Sequence, residues 1–234
     1  MKNEKLKHCH KVLLLLLLSN FFLSIACKQS TKNLSQDIAN EVKQTSKDTI
    51  SIAIQPLTFT DTSTLNWIKQ NIENYYHFNV SILPEIAIPK HAFYKPRNRY
   101  RADTIIRFLK NYKPNQFQYI VGFTDKDIST TKEKFPDFGI MGLGFVPGPS
   151  CVVSTYRLKT TNKKLLKERI AKVVLHEIGH NLGLPHCTNH CFMHAADASI
   201  KQVDSEPLDM CDDCKMRLKK RNGILNEILY KMNK

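Results

Sequence analysis

The chain has 234 residues, room for one good-sized domain or at most two small ones. Hydrophobic residues make up 42%, which supports a packed core and excludes a globally disordered chain. The formal net charge is +14, with basic residues locally dense at 97–101, 163–169 and 215–221; these read as solvated helix and loop faces, with an anionic membrane surface as a secondary partner.

Lys2, Lys5, Lys7 and Lys11 precede an apolar run over 12–18 that resumes over 21–26. A basic segment ahead of a short apolar one is a secretory signal pattern. Ser19 and Asn20 break the run, which is short for a membrane span; an uncleaved N-terminal anchor helix is the alternative. Residues 23–27 read Leu-Ser-Ile-Ala-Cys. They resemble the lipobox of bacterial lipoproteins, whose Cys is lipidated and becomes the new N-terminus. Ser24 stands where that motif usually has Leu, while the small Ala26 suits cleavage. The resemblance implies a signal peptide over 1–26 and lipidation of Cys27, two or more acyl chains being needed for stable anchoring. Four lysines against Glu4 give the signal part +3, leaving +11 on residues 27–234. Residues 28–48 are polar, lack aromatics and read as a flexible tether, so the expected organisation is 1–26, 27–48 and a domain over 49–234. The expected location is exported and membrane-anchored, on the periplasmic or cell-surface side of the envelope. Nucleic acid is not an expected partner there, and the chain has no basic-aromatic stacking module.

Residues 49–57 alternate apolar and polar side chains, which predicts a half-buried strand. Asp61 can cap a helix over 62–76 with Leu65, Ile68 and Ile72 on one face. Residues 78–83 read as a second strand and 84–89 as its extended continuation, followed by an aromatic and basic loop over 91–101. A second helix fits 102–112, with Ile105, Ile106 and Leu109 inward, and Lys113-Pro114-Asn115 stops it. Residues 117–123 form an apolar, central strand; a glycine-rich apolar segment over 138–149 then runs into a strand over 151–156. Cys151 reads there as a small buried apolar residue. The clearest helix spans 165–182, with Leu166, Ile170, Val173, Val174 and Ile178 at helical spacing and Gly183 and Pro185 at its end. Beyond Asp197 the sequence predicts turns and cysteines, then an amphipathic helix over 215–231. The expected class is α/β (α+β), one domain with a mixed twisted sheet packed on helices.

His176-Glu177-Ile178-Gly179-His180 lies near the end of the clearest helix, where residues i and i+4 share a face and both imidazoles can meet one ion. Gly183 lets the chain turn, and His186 can swing back as a third ligand. The whole pattern, H-E-x-x-H-x-x-G-x-x-H, is the metzincin signature. Five such fixed positions arise by chance on the order of 10⁻⁵ times in a chain this long, so the signal is specific. Three neutral imidazoles leave a zinc ion its charge and an open position. Glu177 beside them can act as general base toward a water and then protonate the leaving amine.

Cys187 directly follows His186; Cys191-Phe192-Met193 comes next, and Cys211-Asp212-Asp213-Cys214 after a seventeen-residue gap. With the long histidine motif, this arrangement resembles the archaemetzincin family over residues 176–214. The family has four residues between its first two cysteines and this chain has three, a departure that bears on the local loop geometry. The resemblance implies a metzincin-like domain with two zinc ions: one catalytic on His176, His180 and His186, one structural on Cys187, Cys191, Cys211 and Cys214. Four thiolates suit a closed tetrahedral site. Disulfides among the same cysteines are the alternative in an oxidising compartment. The resemblance also places Met193 in a hydrophobic turn beneath the catalytic zinc; an ordinary core methionine is the other reading. His190 and His194 read as surface or supporting residues.

Metzincins bind peptide as an added strand along a sheet edge, so the resemblance implies such an edge here. The candidate is 140–146, where Gly142 and Gly144 permit close approach; a hydrophobic loop packed on the core is the alternative. The expected activity is zinc-dependent hydrolysis of peptide bonds in a peptide or protein substrate, by a monomer whose other partner is the membrane. A catalytically inactive zinc-containing binding or scaffold lipoprotein is the alternative, and a zinc hydrolase of a non-peptide amide a third reading.

Overall fold

Alternation of side chains along three strands organises the fold. In β1 (Ser51–Pro56), β5 (Tyr119–Thr124) and β9 (Ser150–Ser154), consecutive residues point to opposite faces of one sheet. Ile52, Ile54, Val121, Phe123, Cys151 and Val153 enter one apolar cluster, and Ala53, Ile120 and Val152 the other. Parallel strands of this kind are stable only with both faces covered. Helices α1 (Thr62–Tyr76) and α3 (Lys163–Asn181) cover the first face and α2 (Ala102–Tyr112) the second. Full burial of a side chain such as Phe123, Ile105 or Leu109 stabilises the fold by about 1.5–3 kcal/mol.

The computed structural model describes residues 49–195 and 199–221. The expected signal sequence, Cys27, the tether and the part of the last helix beyond 221 lie outside the described residues. No helix among the described residues is long and apolar enough to cross a membrane.

The main sheet has the order β2-β1-β5-β9-β8, with β2 at Asn79–Ile82 and β8 at Gly142–Gly144. Its pairs are parallel except β8 with β9, which is antiparallel in the register Leu143↔Val152. The short β8 therefore forms an edge, as expected of the 140–146 segment. The expected mixed α/β class holds, and beside the first sheet stands a second, ordered β3 (Phe93–Tyr94), β4 (Arg99–Arg101), β6 (Ile128–Lys132) and β7 (Phe135–Ile140). Residues 91–101, read as a loop, thus contain two strands. They pair with each other, and the second also pairs at long range: Tyr100 lies opposite Ile128, and Arg99 reaches Asp127 (3.0 Å) and Asp137 (3.1 Å). Only Met141 separates β7 from β8, so the second sheet fixes where the edge of the first begins.

Both helices expected upstream appear with the same limits. Asp61 accepts from the N–H groups of Ser63 and Thr64 (3.0 and 3.2 Å) and from the Thr64 hydroxyl (2.7 Å). The expected strand over 151–156 ends at Ser154, because Tyr156–Leu158 turns into a 3₁₀ helix. Beyond 197, where only turns were expected, α4 (Ile200–Ser205) forms; Arg169 grips its Asp204 with two bonds of 2.7 and 2.6 Å. The last helix starts earlier than expected, as α5 over residues 212–221.

Replacing Asp61 with Ala removes the cap of α1 and is expected to cost about 1 kcal/mol, read as a lower denaturant midpoint at an unchanged slope. The Thr64 hydroxyl and neighbouring N–H groups hold the Asp61 carboxyl below its usual range. Its contribution is therefore present above the unfolded-state pKa and fades as pH falls through the lowered one.

Candidate active site

Helix α3 starts at Asn162, whose side chain accepts from the N–H groups of Lys164 and Leu165 (3.0 and 3.1 Å). It carries His176 and His180 on one face of its last turns, their rings 4.5 Å apart. His176 Nδ1–H donates to the Phe192 carbonyl (2.6 Å) and His180 Nδ1–H to the Leu184 carbonyl (2.7 Å). A carbonyl only accepts, so each Nδ1 bears the hydrogen and each Nε2 keeps its lone pair.

The helix ends in a Schellman turn. Gly183 N–H donates to His180 O (2.7 Å), Leu184 N–H donates to Gly179 O (2.9 Å), and Gly183 takes φ +86°. Only glycine adopts that conformation without strain. The turn brings His186 back, its ring 5.4 Å from His176 and 4.7 Å from His180. One ring nitrogen from each of the three histidines lies within 4.8 Å of the other two. Neutral imidazoles with lone pairs converging in this way fit zinc.

Glu177 is 6% exposed and packs against the sheet edge. A Cβ placed on Gly142 would lie 2.5 Å from its Oε1, so β8 approaches the carboxyl because that strand position lacks a side chain. Burial pushes the Glu177 carboxyl up to about 8 and His176 down to about 3, and lowers His180 as well. A divalent cation beside the carboxyl reverses that penalty by favouring its charged form. Met193 is fully buried beneath the helix, with its Sδ 2.5 Å from where a Gly179 Cβ would stand.

Cys187, Cys191, Cys211 and Cys214 also converge, one sulfur from each within 4.8 Å of the others. The sulfurs of Cys187 and Cys211 are 3.6 Å apart. That separation suits two corners of a zinc tetrahedron, roughly 3.8 Å at Zn–S distances near 2.3 Å. It is far beyond a disulfide, and all four thiols are free. Burial raises the Cys211 thiol, but donors from Asn189, the Cys214 backbone and Cys187 outweigh it and hold the thiol down to about 7. The three-residue spacing between Cys187 and Cys191 leaves the cluster intact. Cys151 stands apart, fully buried in β9 as expected.

A cleft of about 500 Å³ runs past the histidines, bounded by β8 on one side and by Phe192, His194 and Glu206 on the other. His194, read as a surface or supporting residue, lines this cleft and donates to Glu206 Oε1 (2.8 Å). Glu206 has no role in the sequence reading; its four-residue spacing from Gln202, which donates to it at 2.6 Å, is the only local hint. Asn181 was also missed. Its Nδ2 donates to Phe145 O (3.2 Å) and Ser150 O (2.9 Å), tying the β8–β9 turn to the end of α3.

A histidine-bearing helix beside an open sheet edge places the molecule among the zinc metallopeptidases, and the third histidine beyond the glycine turn places it in their metzincin branch. The sequence profile of peptidase family M54 matches residues 68–220. The chain belongs to that family, the archaemetzincins. The archaemetzincin of Archaeoglobus fulgidus is 32% identical over 170 residues, covering 73% of this chain and 99% of the relative. That of Haloquadratum walsbyi is 30% identical over 152 residues, covering 61% and 84%. Among solved structures, A. fulgidus archaemetzincin complexed with malonate is similar at a TM-score of 0.63 and 28% identity, covering 72% of this chain and 99% of that one. Methanopyrus kandleri archaemetzincin shares the fold at a TM-score of 0.65 and 24% identity, covering 74% and 96%.

Gly142→Ala is expected to displace the Glu177 carboxyl. Zinc content should stay at the wild-type level while kcat/KM falls by about 100-fold, the scale of a 1 Å misplacement. Unchanged turnover would show that the close approach of β8 does not position the acid.

Proposed function

We propose that His176, His180 and His186 hold the catalytic zinc, the first two through Nε2, and that Glu177 is the general base for peptide hydrolysis. The convergence of three imidazole nitrogens within 4.8 Å of one another carries this reading. A zinc ion bound there supplies Lewis acidity toward a water and toward the scissile carbonyl. Glu177 takes the proton of the attacking water and passes it to the leaving amine, without a covalent intermediate. Its burial between α3 and β8 keeps bulk water from competing for that proton. The outer edge of β8 offers backbone groups to an extended peptide, which pairs there as an added strand. Cys187, Cys191, Cys211 and Cys214 hold a second, structural zinc, supported by the convergence of the four sulfurs and the 3.6 Å separation of two of them.

The enzyme works at a membrane. Residues 1–26 act as a lipoprotein signal peptide, Cys27 carries the lipid, 27–48 is the tether and the domain begins at 49, so the protein is exported and anchored on the cell envelope. The basic and apolar run ahead of Leu-Ser-Ile-Ala-Cys supports this reading.

Replacement of Glu177 by Ala is expected to abolish hydrolysis and to leave two zinc ions per chain by metal analysis. Retained turnover contradicts the assigned base, and one zinc per chain with the four cysteines oxidised removes the structural site. Mass spectrometry of the mature protein tests the anchor separately: the reading requires an N-terminal, acylated Cys27, and an intact Met1 start is incompatible with it.

A further inference from the structure

The cleft that holds the histidines is also lined by a group of apolar residues with a distinctive charge arrangement. Val173 lies one helical turn before His176 on α3, so the group adjoins the reaction site. It consists of Val173, Phe192 and Val203. Lys132 and Glu177 also line the cleft, and near these apolar residues in sequence stand Lys172 and Glu206, both more than nine-tenths buried.

Lys172 is already committed. Its ammonium lies 2.7 Å from Glu168 Oε1 and donates to the Val203 carbonyl at 3.1 Å. Glu206 is not balanced in the same way. Its Oε1 accepts from Gln202 Nε2 (2.6 Å) and His194 Nδ1 (2.8 Å), donors that need carry no charge. Its Oε2 is buried and accepts no hydrogen bond among the described residues. His190 Nδ1 stands 3.0 Å from that oxygen without hydrogen-bond geometry, on a side chain 71% exposed. A buried carboxylate oxygen without a donor is costly unless something completes it. Its position is fixed, because the two-bond Arg169–Asp204 pair holds α4 against α3 just before Glu206.

We propose that Glu206 selects a basic side chain, lysine or arginine, in the residue adjoining the bond that is cut. The methylene stem of such a residue lies along Val173, Phe192 and Val203, and its cation meets Glu206 Oε2, displacing the exposed His190 ring that stands 3.0 Å from it. An acidic side chain finds a carboxylate there and a lysine already neutralised by Glu168. A neutral apolar one fills the walls and leaves the carboxylate incomplete.

This inference rests on the peptidase reading above, and the test separates the two. Zinc-loaded wild type is assayed for kcat/KM on a panel of peptides that vary one residue on each side of a fixed bond through Lys, Arg, Leu, Phe and Asp. Zinc-loaded Glu177→Gln is assayed for binding the same peptides. The expected result is a preference for Lys or Arg over Leu of about tenfold or more at one position, the scale of a hydrogen bond to a charged group. Glu206→Gln keeps the side-chain size and should bring that ratio to within about threefold, the loss falling on the Lys and Arg peptides. Equal loss on all peptides, or a wild type that prefers Leu, Phe or Asp there, overturns the proposal even if Glu206→Gln does not fold. No cleavage of any peptide, with basic peptides still bound more tightly, leaves the pocket standing and removes the peptidase reading instead.

Discussion

The metal-binding end of this protein depends on two backbone carbonyls, those of Phe192 and Leu184, which take the Nδ1 hydrogens of His176 and His180. A neutral imidazole has one hydrogen and one lone pair, so fixing the first aims the second. Each carbonyl is held by a different device. The Schellman turn at Gly183 sets Leu184. The cysteine-bearing loop sets Phe192: Cys187 N–H donates to Met193 O (2.9 Å), and Phe192 N–H to Asp209 O (3.1 Å). The cysteine cluster therefore stands behind the histidine cluster in a mechanical sense. Whatever ties the four thiols together also steadies the carbonyl that orients His176.

Glu177 shows a second economy of position. A carboxyl at the end of a helix beside two histidines could have stayed in water. Here it faces a sheet edge made approachable by Gly142, and its burial pushes its proton affinity up to about 8. Asn181, one turn further along, binds two carbonyls flanking the β8–β9 turn. Helix and edge strand thus move as one body, with the acid between them. The same helix pins α4 through Arg169, and α4 leads to the buried carboxylate of Glu206. Three walls of the cleft are referred to a single helix, so few independent motions can spoil their alignment.

Much of this was legible because it is local. The Asp61 cap, the apolar spacing of α1 and α2, and the glycine that ends α3 are properties of a few consecutive residues. The histidine and cysteine patterns were legible for a different reason: metal geometry restricts spacing, so the sequence carries it directly. The second sheet was not legible. Phe93–Tyr94 pairs with Arg99–Arg101, which lies in turn beside the distant Ile128–Lys132, with Phe135–Ile140 paired beyond it. Pro136 and Gly139 inside β7 argue against a strand when it is read alone. Asp137, placed among Arg97, Arg99 and Arg101, helps bind that sheet by contacts nearly forty residues apart. Glu206 is illegible for a similar reason: its spacing from Gln202 does not reveal that it borders a cleft lined mostly by residues 132–194.

Anomalous diffraction at the zinc absorption edge, from crystals of the zinc-loaded protein, tests the central claim most directly. The account requires a peak about 2.0–2.1 Å from Nε2 of both His176 and His180 and within the same distance of a His186 ring nitrogen. A peak bound instead through Nδ1 of either helical histidine, or no peak among the three, contradicts it.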